Sequence, residues 1–207
     1  MNALFARMVS ALLLALPAAA ALAQAPEEAE AVLLIATAQL GNSSFRQTVI
    51  LAVPYSNDRH VGVILNRPTR QHLASLFPEH EPSKKIAEPV FFGGPMSPRA
   101  IFAVVHSSQS PGGSSIPLMK DVFLALTMTG VDRVIEEHSQ AARFYVGNVV
   151  WRPGELREEL GDGYWHVLNV DPELLFRKNT EGLWGELSRL ARAVRASAGG
   201  ASAPAHP

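Results

Sequence analysis

Apolar and polar positions alternate in blocks whose character changes from front to back. Residues 32–35, 48–53 and 61–65 are short, β-branched-rich runs separated by Asn/Ser/Gly clusters, which is the punctuation of strands. Runs at 90–92, 100–105, 122–127 and 144–150 extend the set to about seven strands. Helices declare themselves by their ends. Thr129 with Asp132 three residues on is a capping-box variant and predicts a helix to about His138. Pro153 suits a first helical position and Gly161 a C-terminal cap, bracketing a helix over 155–160, and Asp171-Pro172-Glu173 opens another short one. In the last helix Leu183, Leu187, Leu190 and Val194 recur at i, i+4, i+7 and i+11. Arg189, Arg192 and Arg195 fall elsewhere on the wheel. The leucine stripe is expected to pack on the body and the arginines to face solvent.

The two ends depart from this pattern. Arg7 and the amino terminus precede an apolar stretch at 8–22, and Ala21-Leu22-Ala23 supplies the small residues a signal peptidase pocket takes. Residues 1–23 therefore read as a secretory signal cleaved before Gln24, and the mature protein is expected in the periplasm or secreted. The stretch is shorter than the roughly 20 residues of an ordinary span, so no membrane span is expected in the mature form. An uncleaved anchor is the alternative. Residues 24–31 are polar and small, a tether. Residues 196–207 carry no large apolar side chain to offset the entropy of ordering and are expected to form a disordered tail. One domain, 32–195, remains between them.

Composition narrows the chemistry. With 47% apolar residues, 207 residues can bury a substantial core in one domain. Removing residues 1–23 takes away Arg7 and no acid, leaving 17 basic against 19 acidic residues. That balance lacks the basic excess which neutralises a phosphate backbone, and it argues against nucleic acid as a partner. There is no cysteine, so an exported form has no disulfide, thiolate metal site or thiol nucleophile. The histidines at 60, 72, 80, 106, 138, 166 and 206 show no spacing that puts two on one metal. No phosphate-binding glycine loop, HExxH helix or GxSxG elbow is present, and no cofactor is implied.

Three stretches carry more information: Val61-Gly62-Val63-Ile64-Leu65-Asn66-Arg67-Pro68-Thr69, Phe91-Phe92-Gly93-Gly94-Pro95, and the run from Gly147 through Trp151-Arg152-Pro153-Gly154 to Leu156. In this order and at these distances they resemble the YqgE/AlgH family of bacterial proteins. The resemblance runs from Leu33-Leu34-Ile35-Ala36 to Leu183-Trp184. It implies a single α+β domain, with a twisted, barrel-like, mostly antiparallel sheet and helices packed against it. It implies no known reaction, and the transcriptional-regulator label attached to some members comes without a recognisable DNA-binding module. The chain departs from the family in its export signal, in Gln47 standing where an arginine is usual, and in Glu155 replacing a usual glutamine.

The candidate binding residues are Asn66, Arg67, Gly93, Gly94, His106 and Trp151. Gly93 and Gly94 permit backbone angles that other residues resist, and Pro95 fixes the next φ, so a turn accounts for all three. Exposed amides beside glycine also form anion-binding nests, to which Asn66 and Arg67 can add charge-assisted hydrogen bonds and His106 a switchable donor. Trp151 fits either a core position or a pocket wall. The expected function is a non-enzymatic binding or regulatory protein of the cell envelope, recognising a small anionic ligand or an envelope protein partner. One alternative is a hydrolase using a serine of the 107–115 loop with His106 as base. The other is a cytoplasmic transcriptional regulator.

Overall fold

The computed structural model describes residues 31–200. The signal, all but the last residue of the tether, and residues 201–207 lie outside the described residues. Strands β1 (Val32–Ala36), β2 (Val49–Tyr55) and β3 (Arg59–Ile64) form an antiparallel meander. They are followed by β4 (Pro68–His72), helix α1 (Leu73–Leu76), β5 (Pro89–Phe92) and the long β6 (Met96–His106). The remaining elements are β7 (Ile116–Met119), β8 (Val122–Ala125), α2 (Met128–Glu137), β9 (Ala142–Trp151), α3 (Glu155–Gly161), β10 (Trp165–Asn169), α4 (Pro172–Leu175) and α5 (Leu183–Gly200).

These strands make one ten-stranded α+β sheet whose main path is β10-β1-β2-β3-β9-β6-β8-β7, with β4 and β5 branching from β9. Every pairing is antiparallel except β5 with β9. Among the described residues the sheet stays open, with β10 and β7 as its edges, instead of closing into a barrel. Strand β9 is the keystone: it pairs with β3 along one margin, with β6 along the other, and with β5 in parallel.

Strand periodicity sorts the core. In β1, Leu33 and Ile35 face one apolar cluster with Leu51, Val63, Phe91, Tyr145, Leu183 and Leu187, while Leu34 and Ala36 face another with Ile50, Trp151, Leu156 and Trp165. A third cluster lies under α2, where Val131, Val134 and Ile135 meet Ala103, Val105 and Phe144. Ala31, expected in the tether, is already buried in the first cluster.

The helix ends differ from expectation in instructive ways. Helix α2 is capped by Thr127, not Thr129: Thr127 has extended backbone, its hydroxyl accepts from Gly130 N at 3.3 Å and donates to Gly113 O at 2.6 Å. Gly154, in the left-handed region at φ 84°, starts α3 and leaves Pro153 outside it, and the Glu155 carboxylate reaches back to accept from Arg152 N at 2.8 Å. That hydrogen bond holds the Glu155 pKa below its ordinary value. Helix α5 runs on to Gly200, past residue 196 where the tail was expected to begin. Alanine-rich sequence continues a helix already nucleated against the body.

The expected stripe of α5 divides. Leu183 and Leu187 are buried, but Leu190 and Val194 are 50% and 53% exposed, and Ser188 and Ala191 take the inward places. Small side chains let the helix axis lie close to β1 and β10, which rotates its inward arc away from the leucine stripe.

Candidate functional site

Asn66 and Arg67, just beyond β3, act on the chain before they can act on a ligand. Asn66 Oδ1 accepts from Val49 N at 2.9 Å and Nδ2 donates to Gln47 O at 2.9 Å, so the side chain continues the β2–β3 ladder by one rung. Arg67 Nη2 donates to Arg46 O at 3.1 Å. Burial, with Arg46 close by, lowers the Arg67 pKa. Gln47 sits at φ 55°, so the turn whose carbonyls Asn66 and Arg67 hold is strained at that residue.

Gly93 and Gly94 adjoin this corner, since Ile64 N donates to Gly93 O and Phe92 N to Arg67 O. The Gly93 amide is committed to the sheet. Gly93 N donates to Val146 O at 2.8 Å, continuing the parallel β5–β9 pairing. A Cβ on Gly93 would lie 2.2 Å from Gly147 O, one on Gly94 2.2 Å from Asn148 O, and one on Gly147, at φ 72°, 2.2 Å from Gly94 O. The glycines are there because two backbones cross at contact distance, which the simpler turn explanation had not included.

Trp151 is buried, and its role is set by a carboxylate in α3. Glu159 Oε2 accepts from Trp151 Nε1 at 2.8 Å and from Trp165 Nε1 at 2.7 Å, tying β9, β10 and α3 through one oxygen. His106 does not join the other candidates. Met96 of β6 pairs with Asn148 and Val105 with Ala142, so the His106 end lies six residues of β9 from the glycine crossing, about 20 Å at strand rise.

Three of the five serines of the 107–115 loop are engaged in turns. Ser107 Oγ donates to Gln109 O and accepts from Gln109 N, Ser110 Oγ accepts from Gly112 N, and Ser115 Oγ donates to Gly112 O. Such local bonds are what Ser/Gly loops are built on. They give no support to a nucleophile paired with His106.

What His106 does border is a cleft of about 320 Å³ at the far end of β9, which it shares with Lys85, Glu88, Arg143, Phe176 and Lys178. Arg143 is the unusual member, a guanidinium only 2% exposed. Nη1 donates to Leu175 O at 3.0 Å and Nη2 to Arg177 O at 2.7 Å, so it holds down the segment after α4. Its plane lies over the Phe91 ring, 4.6 Å from the centroid. Nε has no hydrogen-bond partner, because Glu88 stands 3.8 Å away. Beneath it Tyr145, on the same face of β9, is fully buried with an unpartnered hydroxyl, and burial raises its pKa.

The cleft therefore combines a buried cation whose charge is only loosely matched, two exposed lysines and an exposed histidine against a single carboxylate. It suits a small anion that supplies the missing acceptor. Sequence reasoning passed over Arg143 because it lies one residue before the run at 144–150 that was taken as strand, whereas β9 begins at Ala142. The available signal was its two-residue spacing from Tyr145, which puts a charge on the inward face.

Comparisons place this chain among known proteins. The DUF179 family model, described as AlgH-like, matches residues 33–194. A UPF0301 protein of Ruegeria pomeroyi is 30% identical over 158 residues, covering 73% of this chain and 85% of that one. Another from Streptomyces coelicolor is 28% identical over 164 residues, covering 77% and 85%. The solution structure of the AlgH protein from Pseudomonas aeruginosa matches with a TM-score of 0.65 at 22% identity, covering 80% of this chain and 90% of that one. The crystal structure of a Corynebacterium diphtheriae protein gives 0.64 at 21%, covering 79% and 87%. At these identities the solved structures establish the shared fold.

Proposed function

The chain belongs to the AlgH-like family, and on that premise we propose that it is a non-enzymatic binding or regulatory protein of the cell envelope whose Arg143 cleft receives a small anionic ligand. The observation that carries this reading is the buried Arg143 Nε with no hydrogen-bond acceptor, in a side chain that lines a cleft also bordered by Lys85 and Lys178. A carboxylate or phosphate oxygen there completes the guanidinium's hydrogen bonding, and the lysines add long-range attraction. The envelope assignment rests on the signal read in residues 1–23. Among the described residues no helix is long and apolar enough to cross a membrane.

The test is a titration of the folded protein with a panel of small carboxylates and phosphates, read by isothermal calorimetry. Because Arg143 also anchors backbone, the diagnostic variant is Lys85→Ala/Lys178→Ala, both on the surface. Affinity is expected to fall about tenfold in that variant, the loss of roughly one charge-assisted contact. No binder in the panel, or unchanged affinity in the double variant, defeats the reading.

A further inference from the structure

A second cavity, of about 470 Å³, lies where β1 ends beside α5, and no residue lining it also lines the Arg143 cleft. Ala36 and Trp184 form an apolar wall, and His166, Ser188, Arg192 and Arg195 supply its polar groups. The Trp184 ring is fixed in place because its indole N–H donates to Ala36 O at 2.8 Å. Arg192 donates Nε to Ser188 O at 3.1 Å, which holds the stem of the side chain and leaves the terminal nitrogens free of that bond. Neither arginine is in an ion pair among the described residues.

Two observations point to a ligand here. Ser188 is 2% exposed and its hydroxyl has no hydrogen-bond partner, although serine hydroxyls in such positions are nearly always satisfied. His166 stands close enough to both arginines that, with burial first and their charges second, its pKa is held below the ordinary value. The imidazole is thus uncharged near neutrality and leaves the two guanidiniums as the local positive field. Two exposed arginines without an ion pair and an unused buried hydroxyl line one half-open cavity beside an indole.

We propose that this cavity is a separate binding site for a phosphate-type oxyanion carrying a small apolar group. Arg192 and Arg195 clamp the oxyanion, the Ser188 hydroxyl donates to it, and the Ala36–Trp184 wall packs the apolar part. The volume favours this over bare phosphate, which leaves the wall uncovered.

The experiment titrates phenyl phosphate, and inorganic phosphate in parallel, into the ¹⁵N-labelled full chain and follows amide resonances. Saturable shifts are expected at Thr37, Gly163, His166 and Ser188, with phenyl phosphate the tighter of the two. Arg192→Ala/Arg195→Ala is expected to weaken binding at least about tenfold, and Ser188→Ala by a smaller factor. Cosedimentation with phosphatidylglycerol vesicles, lost in the double arginine variant, would assign the oxyanion to a lipid headgroup at the same site even without a response to the soluble phosphates. The proposal fails if neither probe nor vesicle binds, or if the double arginine variant binds equally well. It also fails if Lys85→Ala/Lys178→Ala abolishes the shifts, because the anion then occupies the Arg143 cleft.

Discussion

Glu159→Ala removes one side chain and leaves two buried indole N–H groups without their acceptor. Trp151 and Trp165 are 2% and 5% exposed, so neither ring can simply turn to water. A hydrogen bond to a charged acceptor contributes ~1.5–3 kcal/mol, and an abandoned buried donor loses its desolvation energy, so two such bonds set an upper bound near ~6 kcal/mol. Glu159 is itself half-buried, and water entering the vacated space recovers part of this. We expect a loss of ~2–4 kcal/mol, or a fall in Tm of about 6–12 °C for a chain this size. Glu159→Gln keeps an acceptor oxygen without the charge and is expected to lose only ~1 kcal/mol. Urea unfolding followed by tryptophan fluorescence suits the question, since two of the chain's three tryptophans belong to the clamp. A loss under ~0.5 kcal/mol in Glu159→Ala would show that the shared carboxylate does not couple β9, β10 and α3.

Gly93→Ala is expected to destabilise the fold by at least ~3 kcal/mol, since its Cβ meets a backbone oxygen at 2.2 Å and no flexible side chain can give way. Wild-type stability by chemical denaturation would mean that the strands do not cross so closely. Stability should also fall as pH drops from neutral through about 6.5, because His60 and His166 have folded pKa values below the 6.5 of the unfolded chain, in both cases chiefly through burial. In that window the unfolded state binds more protons, so acidification favours it. His60→Gln/His166→Gln should flatten the slope of Tm against pH, and an unchanged slope would assign the acid sensitivity elsewhere.

The seven strands expected from sequence are all present because each is an apolar run buried on at least one face, and burial is what such a pattern records. Strands β4, β7 and β10 escaped notice for the opposite reason. Pro68-Thr69-Arg70-Gln71-His72 has little apolar content and is a strand only because β5 supplies its partner. β7 holds Pro117 on an edge, where a missing donor is tolerated. In α5 the misleading signal was the leucines themselves. The contact surface belongs partly to Ser188 and Ala191, small residues that carry almost no hydropathy signal and yet decide how closely the helix lies. The Asn66 and glycine motifs were legible as special but not as to cause, because backbone crossings and ladder extensions join residues far apart in sequence. The two basic clefts draw on side chains from separate strands, turns and helices, and no local spacing announces them.

The place of β9 has a consequence for the order in which the protein is made. Among the described residues, the half-sheet β10-β1-β2-β3 and the half-sheet β6-β8-β7 are joined in strand pairing only through Ala142–Trp151. While the ribosome is still working through residues 31–141, the nascent chain has two partial sheets with unpaired margins and no strand to bridge them. Completion waits until residues 142–151 have emerged, and the outer margin of β1 waits longer still, for β10. A domain whose bridging strand follows eight others stays loosely organised until that strand emerges, open to whatever holds or carries unfinished polypeptides.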